Sequence, residues 1–244
     1  MMKKISSLIV VFSCSIFLAG AQSGLLNSAK SALSSAKGGS LSSDDIVAGL
    51  KDALSKGTQK STDKLSAADG FFKDAAVKIL LPPEAAKAEK TLRSLGFGKQ
   101  CDDAILSLNR AAEMASKSAA QIFFSAIKGM SVQDGVNILK GPDTAATAYL
   151  RKTTTVQLTI AFKPTIDSSL QKTNATKYWK DFCDTYNKLP TTFHKINPDL
   201  SAYATQKALD GIFYYVAQEE ANIRKNPAAQ VDDLLKKVFG GGGN

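Results

Sequence analysis

Between residues 102 and 128, Ile105, Leu108, Ala112, Ala115, Ala119, Ile122 and Ala126 recur in alternating steps of three and four. Only an α-helix puts such positions on one side of its backbone, because its turn of about 3.6 residues returns to nearly the same angle. The stripe is narrow and rich in alanine at its centre, which lets a second helix approach closely. An element of this kind must be covered by others, and the rest of the chain reads as a supply of helices.

Ser43 is a good N-cap ahead of Asp44 and Asp45, whose charges suit a helix N-terminus. Ile46, Val47, Leu50 and Leu54 follow at helical spacing, and Asp69-Gly70 closes the element. Pro82 and Pro83 open a second helix, which Gly96 is placed to end in the left-handed conformation. Gly129 ends the 102–128 helix. Ser131 and Asp134 form a weak variant of a capping box for a short helix that stops at Gly141-Pro142. The stretch "TTTVQLTIAF", 153–162, is β-branched enough for a strand. It nevertheless continues from "DTAATAYLRK" without a turn signal. Tyr149, Val156, Ile160 and Leu170 can be laid along a helix, so we read one long helix from about Asp143, bent at Pro164. Further helices cover about Lys177–Lys188 and Asp199–Asn226, separated by a loop that holds His194 between Pro190 and Pro198. A short last helix, "AAQVDDLLKKVF", precedes a Gly-rich tail at 241–244. The expectation is an all-α fold, one multi-helix bundle of about seven helices spanning residues 42–240.

The first residues read as a secretory signal. Lys3 and Lys4 form a positive start, "ISSLIVVFSCSIFLAG" an apolar run, and Ala19-Gly20-Ala21 an A-x-A cleavage site. Residues 1–21 are therefore set aside, and the mature chain is expected in the periplasm or outside the cell. Cys14 raises a lipoprotein anchor, which Phe12 and the continuing apolar run through Leu18 argue against. Residues 22–41, rich in Ser, Ala and Gly, read as a tether. No later stretch reaches about 18 apolar residues, so no transmembrane span is expected in the mature chain. Without the signal the formal charge falls from +9 to +7. A positive surface favours anionic partners such as lipid headgroups or other envelope components. The basic residues are interleaved with acids, however, so no specific nucleic-acid binding is expected. Cys101 and Cys183 are left in the mature chain. They offer one disulfide of a single connectivity, which is not the favoured reading, and Cys183 lies among Trp179, Phe182 and Tyr186, where a buried thiol fits equally well.

The inventory narrows the chemistry. One histidine excludes a zinc site built on two, and there is no C-x-x-C. "GFGK" lacks the spacing of a phosphate loop, and neither a G-x-S-x-G elbow nor a dinucleotide fingerprint occurs. What remains is carboxylate chemistry: hard-cation binding or glycoside hydrolysis. No cofactor is expected, and a metal is left open. In "DGIFYYVAQEEANIRK" a helical wheel places Ile212, Phe213, Val216 and Ile223 within about 60° of Leu209. Glu220 falls about 20° from Leu209, inside that stripe, and Glu219 about 80° away on its flank. An inward carboxylate needs a partner. Arg224 lies one turn on. Asn109, Arg110 and Glu113 of "LNRAAE" are longer-range candidates, Asn109 sitting about 40° from Ile105 at the edge of its stripe. A polar cluster between the two longest amphipathic helices is the leading reading, as a structural network. A ligand or metal pocket, or a hydrolase using Glu220 with Glu113 or Asp210, are the alternatives.

The blocks "LSSDDIVAGLKDAL", "DGFF", "LNRAAE", "AIKGMSVQDGVNILKGPDTAATAYLR", "YATQKALDGIFYYVAQEEANIRKNPAA" and "LLKKVFG" together resemble a bacterial secreted family described only as a domain of unknown function, DUF4197. The resemblance runs over nearly all of residues 42–240. It implies an envelope location in Gram-negative bacteria and a predominantly helical fold, including helix over 143–170. It carries no activity and no catalytic residues to transfer, and some members look lipid-anchored. The expectation is a non-enzymatic ligand- or partner-binding protein of the cell envelope.

Overall fold

The computed structural model describes residues 42–225 except positions 95, 174, 189–194, 196 and 198. The expected signal peptide, tether, His194, last helix and tail lie outside the described residues. Phe182 and Tyr186, expected beside Cys183, are described in backbone only. The helices are α1 (Ser43–Ser66), α2 (Ala86–Ser94, entered by a 3-10 turn Pro83–Ala85), α3 (Gly98–Ser116), α4 (Ala119–Lys128), α5 (Val132–Lys140), α6 (Ala145–Lys172), α7 (Ala175–Asn187) and α8 (Leu200–Lys225). Among the described residues there is no strand, and all of them belong to one compact unit. The all-α bundle is as expected.

The ends follow from local chemistry. The cap of α1 is Ser42, one residue before the expected Ser43, because that choice makes Asp45 the third helical residue. The Asp45 N–H donates to Ser42 Oγ (3.1 Å) and the Ser42 N–H returns to Asp45 Oδ2 (3.3 Å). Ser131 and Asp134 repeat the device at α5. The Gly96 N–H donates to Arg93 O from a φ of 90°, a conformation that favours glycine.

Two expectations need correction. The 102–128 helix is broken by a turn at Lys117-Ser118, so α3 and α4 are separate. The break shifts the phase of the stripe. Beyond it Ala119, Phe123 and Ile127 are buried, whereas Ile122 and Ala126 are only partly covered. In α6 the inward line is Leu150, Thr154, Leu158, Phe162, Ile166 and Leu170, and Val156 and Ile160 stand 70% and 69% exposed. A uniform step of four advances about 40° each time, so the buried line winds about 200° around the helix. This lets α6 meet α8, α3, α4, α5 and α7 in turn. A straight stripe could not predict it.

The core lies where α1, α3, α4, α6 and α8 converge, with Phe71, Phe123, Phe162 and Phe213 fully buried. Phe123 and Phe213 meet edge to face, centroids 5.7 Å apart. Phe71 lies on the connection between α1 and α2 and presses its ring onto α8 at Gly211. A Cβ at Gly211 would come 2.6 Å from that ring. The glycine therefore sets how closely the connection can dock.

Candidate functional site

Glu220 is 4% exposed and points inward from α8. Its Oε1 accepts the Ala146 N–H (2.9 Å), and its Oε2 accepts the Thr147 N–H (2.8 Å) and hydroxyl (2.7 Å). These are donors of the first turn of α6, whose own N-cap, Thr144, makes no side-chain cap. A carboxylate from α8 thus caps α6, where the helix dipole favours negative charge. Arg224 pairs with Glu220 Oε1 (3.0 Å) and also donates to Ile138 O near the end of α5 (3.0 Å). The pair joins three helices. Glu219 diverges from it and meets Lys60 of α1 at 2.8 Å.

The three residues of "LNRAAE" do not join this cluster. They form a second set on α3 that holds the connection between α1 and α2. Asn109, fully buried, accepts the Ile79 N–H (2.8 Å) and donates to Ile79 O (2.7 Å) and Ile105 O (2.7 Å). One turn on, Glu113 Oε1 accepts the N–H groups of Phe71 and Phe72, each at 3.2 Å. Arg110 bridges Glu113 and Asp69, both at 2.6 Å. The single polar cluster read from the wheels is therefore two separate ones. The wheel gives angle about one axis, whereas partners depend on where the connection runs. The 67–82 connection, between Asp69-Gly70 and the opening Pro82-Pro83, carries no signal in the sequence that it needs these donors and acceptors.

Asp210 belongs to neither set. It accepts from Gln206 (3.1 Å) and lies 3.6 Å from Arg151, half exposed. Glu220 touches neither Glu113 nor Asp210; the acids that share an opening are Glu89 with Asp103 in one cleft and Glu89 with Asp210 in a second.

A third polar group closes the same connection from the other side. The Tyr215 hydroxyl donates to Asp74, and Lys64 reaches both Tyr215 Oη (2.7 Å) and Asp74 (3.1 Å). The hydrogen bond from Tyr215, then Lys64, holds the Asp74 carboxyl below its ordinary range. Lys73, then Arg110, does the same for Asp69.

Cys101 and Cys183 are both buried and both free, so no disulfide forms between them. Burial pushes both thiols up, Cys183 to about 11, which suppresses the reactive thiolate. Among the described residues, no three His, Cys, Asp or Glu side chains gather as metal ligands.

Open space lies elsewhere. A cleft of about 770 Å³ sits between α2, α3, the start of α7 and the start of α8. Its walls include Leu81, Ala104, Leu106, Ala175, Trp179 and Leu200. Trp179 is the only tryptophan of the chain, and its Nε1 donates to Asn197 O (3.1 Å). A second cleft, about 560 Å³, lies on the far side of Leu81 and Glu89, between that segment and α8. Sequence reading missed the first cleft. Its only signal was three alanines, Ala85, Ala104 and Ala175, which leave room only when three distant segments meet.

What fold and site define, among the described residues, is an all-α protein whose buried acids act as joints and whose larger described cleft is lined mostly by apolar side chains. The chain belongs to the family described as Protein of unknown function (DUF4197), whose family model matches residues 40–240. No curated protein and no solved structure matches it. Among the described residues, no helix is long and apolar enough to cross a membrane.

Proposed function

We propose that this is a non-enzymatic binding protein of the bacterial cell envelope, exported by the signal at residues 1–21 and taking an apolar ligand in the cleft beside Trp179. One observation carries the reading. The buried acids Glu220 and Glu113 are engaged by backbone N–H groups and arginines, and neither lines the cleft. An acid tied in this way is turned away from the cleft and out of reach of anything bound there. The cleft, by contrast, has the size and apolar character of a ligand site. The envelope location is supported by Lys3, Lys4, the apolar run after them and Ala19-Gly20-Ala21.

Native mass spectrometry with elemental analysis, on protein purified from the periplasmic fraction, tests this. The expected result is a small-molecule adduct removed by organic solvent and absent from Ala104→Phe. A stoichiometric metal ion, or an adduct that Ala104→Phe retains, would overturn it.

A further inference from the structure

The side of α8 that forms one wall of the second cleft carries Tyr203, Lys207, Asp210, Gly211 and Tyr214. Helical spacing continues that side through Ala217, Gln218 and Ala221 to Lys225, all within about 60° of Tyr214. Other sides of α8 are taken: Lys60 and Lys64 of α1 reach Glu219 and Tyr215, and Glu220 reaches Ala146 of α6. The track past Tyr214 is only half covered at Ala217 and Ala221 and open at Gln218 and Lys225. At its cleft end Tyr214 and Leu80 stand 42% and 56% exposed. Small residues leading to large apolar ones at a groove are the form that receives an amphipathic helix.

The charged groups of this cleft are engaged within the protein. Lys78 lies over the Phe72 ring (4.3 Å) and Lys207 over that of Tyr203 (5.8 Å). Asp210 accepts from Gln206 (3.1 Å), and Glu89 pairs with Arg93 (2.8 Å). The Tyr203 hydroxyl donates to Leu80 O (3.1 Å). Val156 and Ile160 are more exposed than Leu80, but each stands about 160° from its buried neighbours on α6, a ridge and not a groove.

Residues 226–244, outside the described residues, follow the end of this track. Within them Val231, Leu234, Leu235, Val238 and Phe239 fall at i, i+3, i+4, i+7 and i+8, with Asp232, Asp233, Lys236 and Lys237 between. A helix of about 12 residues is marginal in water unless its apolar stripe is covered. Pro227 disfavours a helical Asn226, so the chain is set to leave the axis of α8 there. As helix, Pro227 to Phe239 spans about 18 Å, and the way back along α8 from Lys225 to Tyr214 is about 16 Å.

From the uncovered track, the apolar stripe and these matching lengths, we infer that residues 228–239 dock antiparallel on α8 as its cover. Val231 then lies on Ala221, Leu234 and Leu235 on Ala217 and Gln218, and Val238 and Phe239 against Tyr214 and Leu80. The occupant is this chain's own segment, which its tether holds at an effective concentration of about a millimolar or more. Docked there, it covers the Leu80–Tyr214 edge of the second cleft and leaves the cleft beside Trp179 open. This goes beyond the ligand reading and does not depend on it.

Paired cysteines in the full chain test the contact. Cys101 and Cys183 are buried with their thiols pushed up, so they stay out of the exchange. Leu80→Cys with Phe239→Cys should close a disulfide within one chain at least about tenfold faster than Val156→Cys with Phe239→Cys, which has the same tether. Hydrogen exchange gives a second readout that leaves the described helices untouched. Amides 230–239 should exchange about tenfold faster in Leu235→Asp than in wild type, with α1, α3 and α8 unchanged. Equal closure rates for the two cysteine pairs, or exchange that Leu235→Asp does not alter, overturns the assignment. A disulfide that forms only between two chains makes the occupant a second copy and overturns it too. So does protection of 230–239 that appears only when phosphatidylglycerol vesicles are added, because the segment is then a membrane contact.

Discussion

The α5–α6–α8 corner and the α2–α3–α7 end solve opposite problems with the same kinds of residue. At the corner a buried glutamate and a part-buried arginine, paired along α8, each reach another helix, Glu220 to α6 and Arg224 to α5. At the other end Lys99 pairs with Asp103 and Arg93 with Glu89 along their own helices, and the one cross-link among them, Arg93 to Asp102 of α3, is an exposed surface pair. Among the described residues, apolar surface between the helices is left uncovered there. A charge buried between helices fixes their distance, because separating them strands it in a low dielectric. A charge paired within one helix fixes nothing across the gap, and a cleft can stay open. The corner is a joint, and the other end is where a ligand can enter.

Substitutions can break or sharpen this contrast, and the corner should be the most sensitive. Glu220→Ala leaves the part-buried Arg224 without its carboxylate and the first turn of α6 uncapped. We expect a loss of about 3–5 kcal/mol, or roughly 6–20 °C in Tm by thermal unfolding. Glu220→Gln should cost less, since one acceptor remains for the α6 donors. A wild-type Tm in Glu220→Ala would remove the corner's status as a joint. Asn109→Ala comes next. It strands the N–H and C=O of Ile79, and about 2–4 kcal/mol should be lost in urea unfolding.

Acid should loosen the 67–82 connection at Asp69 and Asp74. Both carboxyls are held below their ordinary range, by Lys73 with Arg110 and by Tyr215 with Lys64 respectively. The stability they contribute is complete above the unfolded carboxylate range near pH 4 and is lost as pH falls through their lower folded values. Asp74→Asn should flatten that acid limb of a stability–pH profile. Smallest of all, Lys180→Ala removes an exposed pair within α7. No measurable change in Tm is expected. A clear drop would show that local pairs at the cleft end do hold helices together, against the contrast drawn here.

Much of the fold was legible before any coordinates. The capping pair at Ser131 and Asp134, the stop at Gly141 and the run through Pro164 are local events within a turn or two. The angle of Glu220 was legible for the same reason, and so was Arg224, one turn away on the same helix. The α6 inward line was not. Val156 and Ile160 are as apolar as Leu158 and Ile166, and only the winding contact with successive neighbours decides which pair is covered. Asn109 and Glu113 looked like members of the Glu220 cluster because a wheel records direction and says nothing of which segment waits there.

By itself, the sequence determined that this chain is helical, where most helices begin and end, and that Glu220 must turn inward. Helical period, capping and proline geometry act over a few residues and so are written in consecutive letters. Only the tertiary structure decided that Glu220 caps α6, that "LNRAAE" clamps the 67–82 connection, and that three distant alanines open a cleft beside Trp179. Those outcomes depend on which segments meet across the bundle. Burial and hydrogen-bond satisfaction settle that for the whole chain at once, not for any one stretch of it.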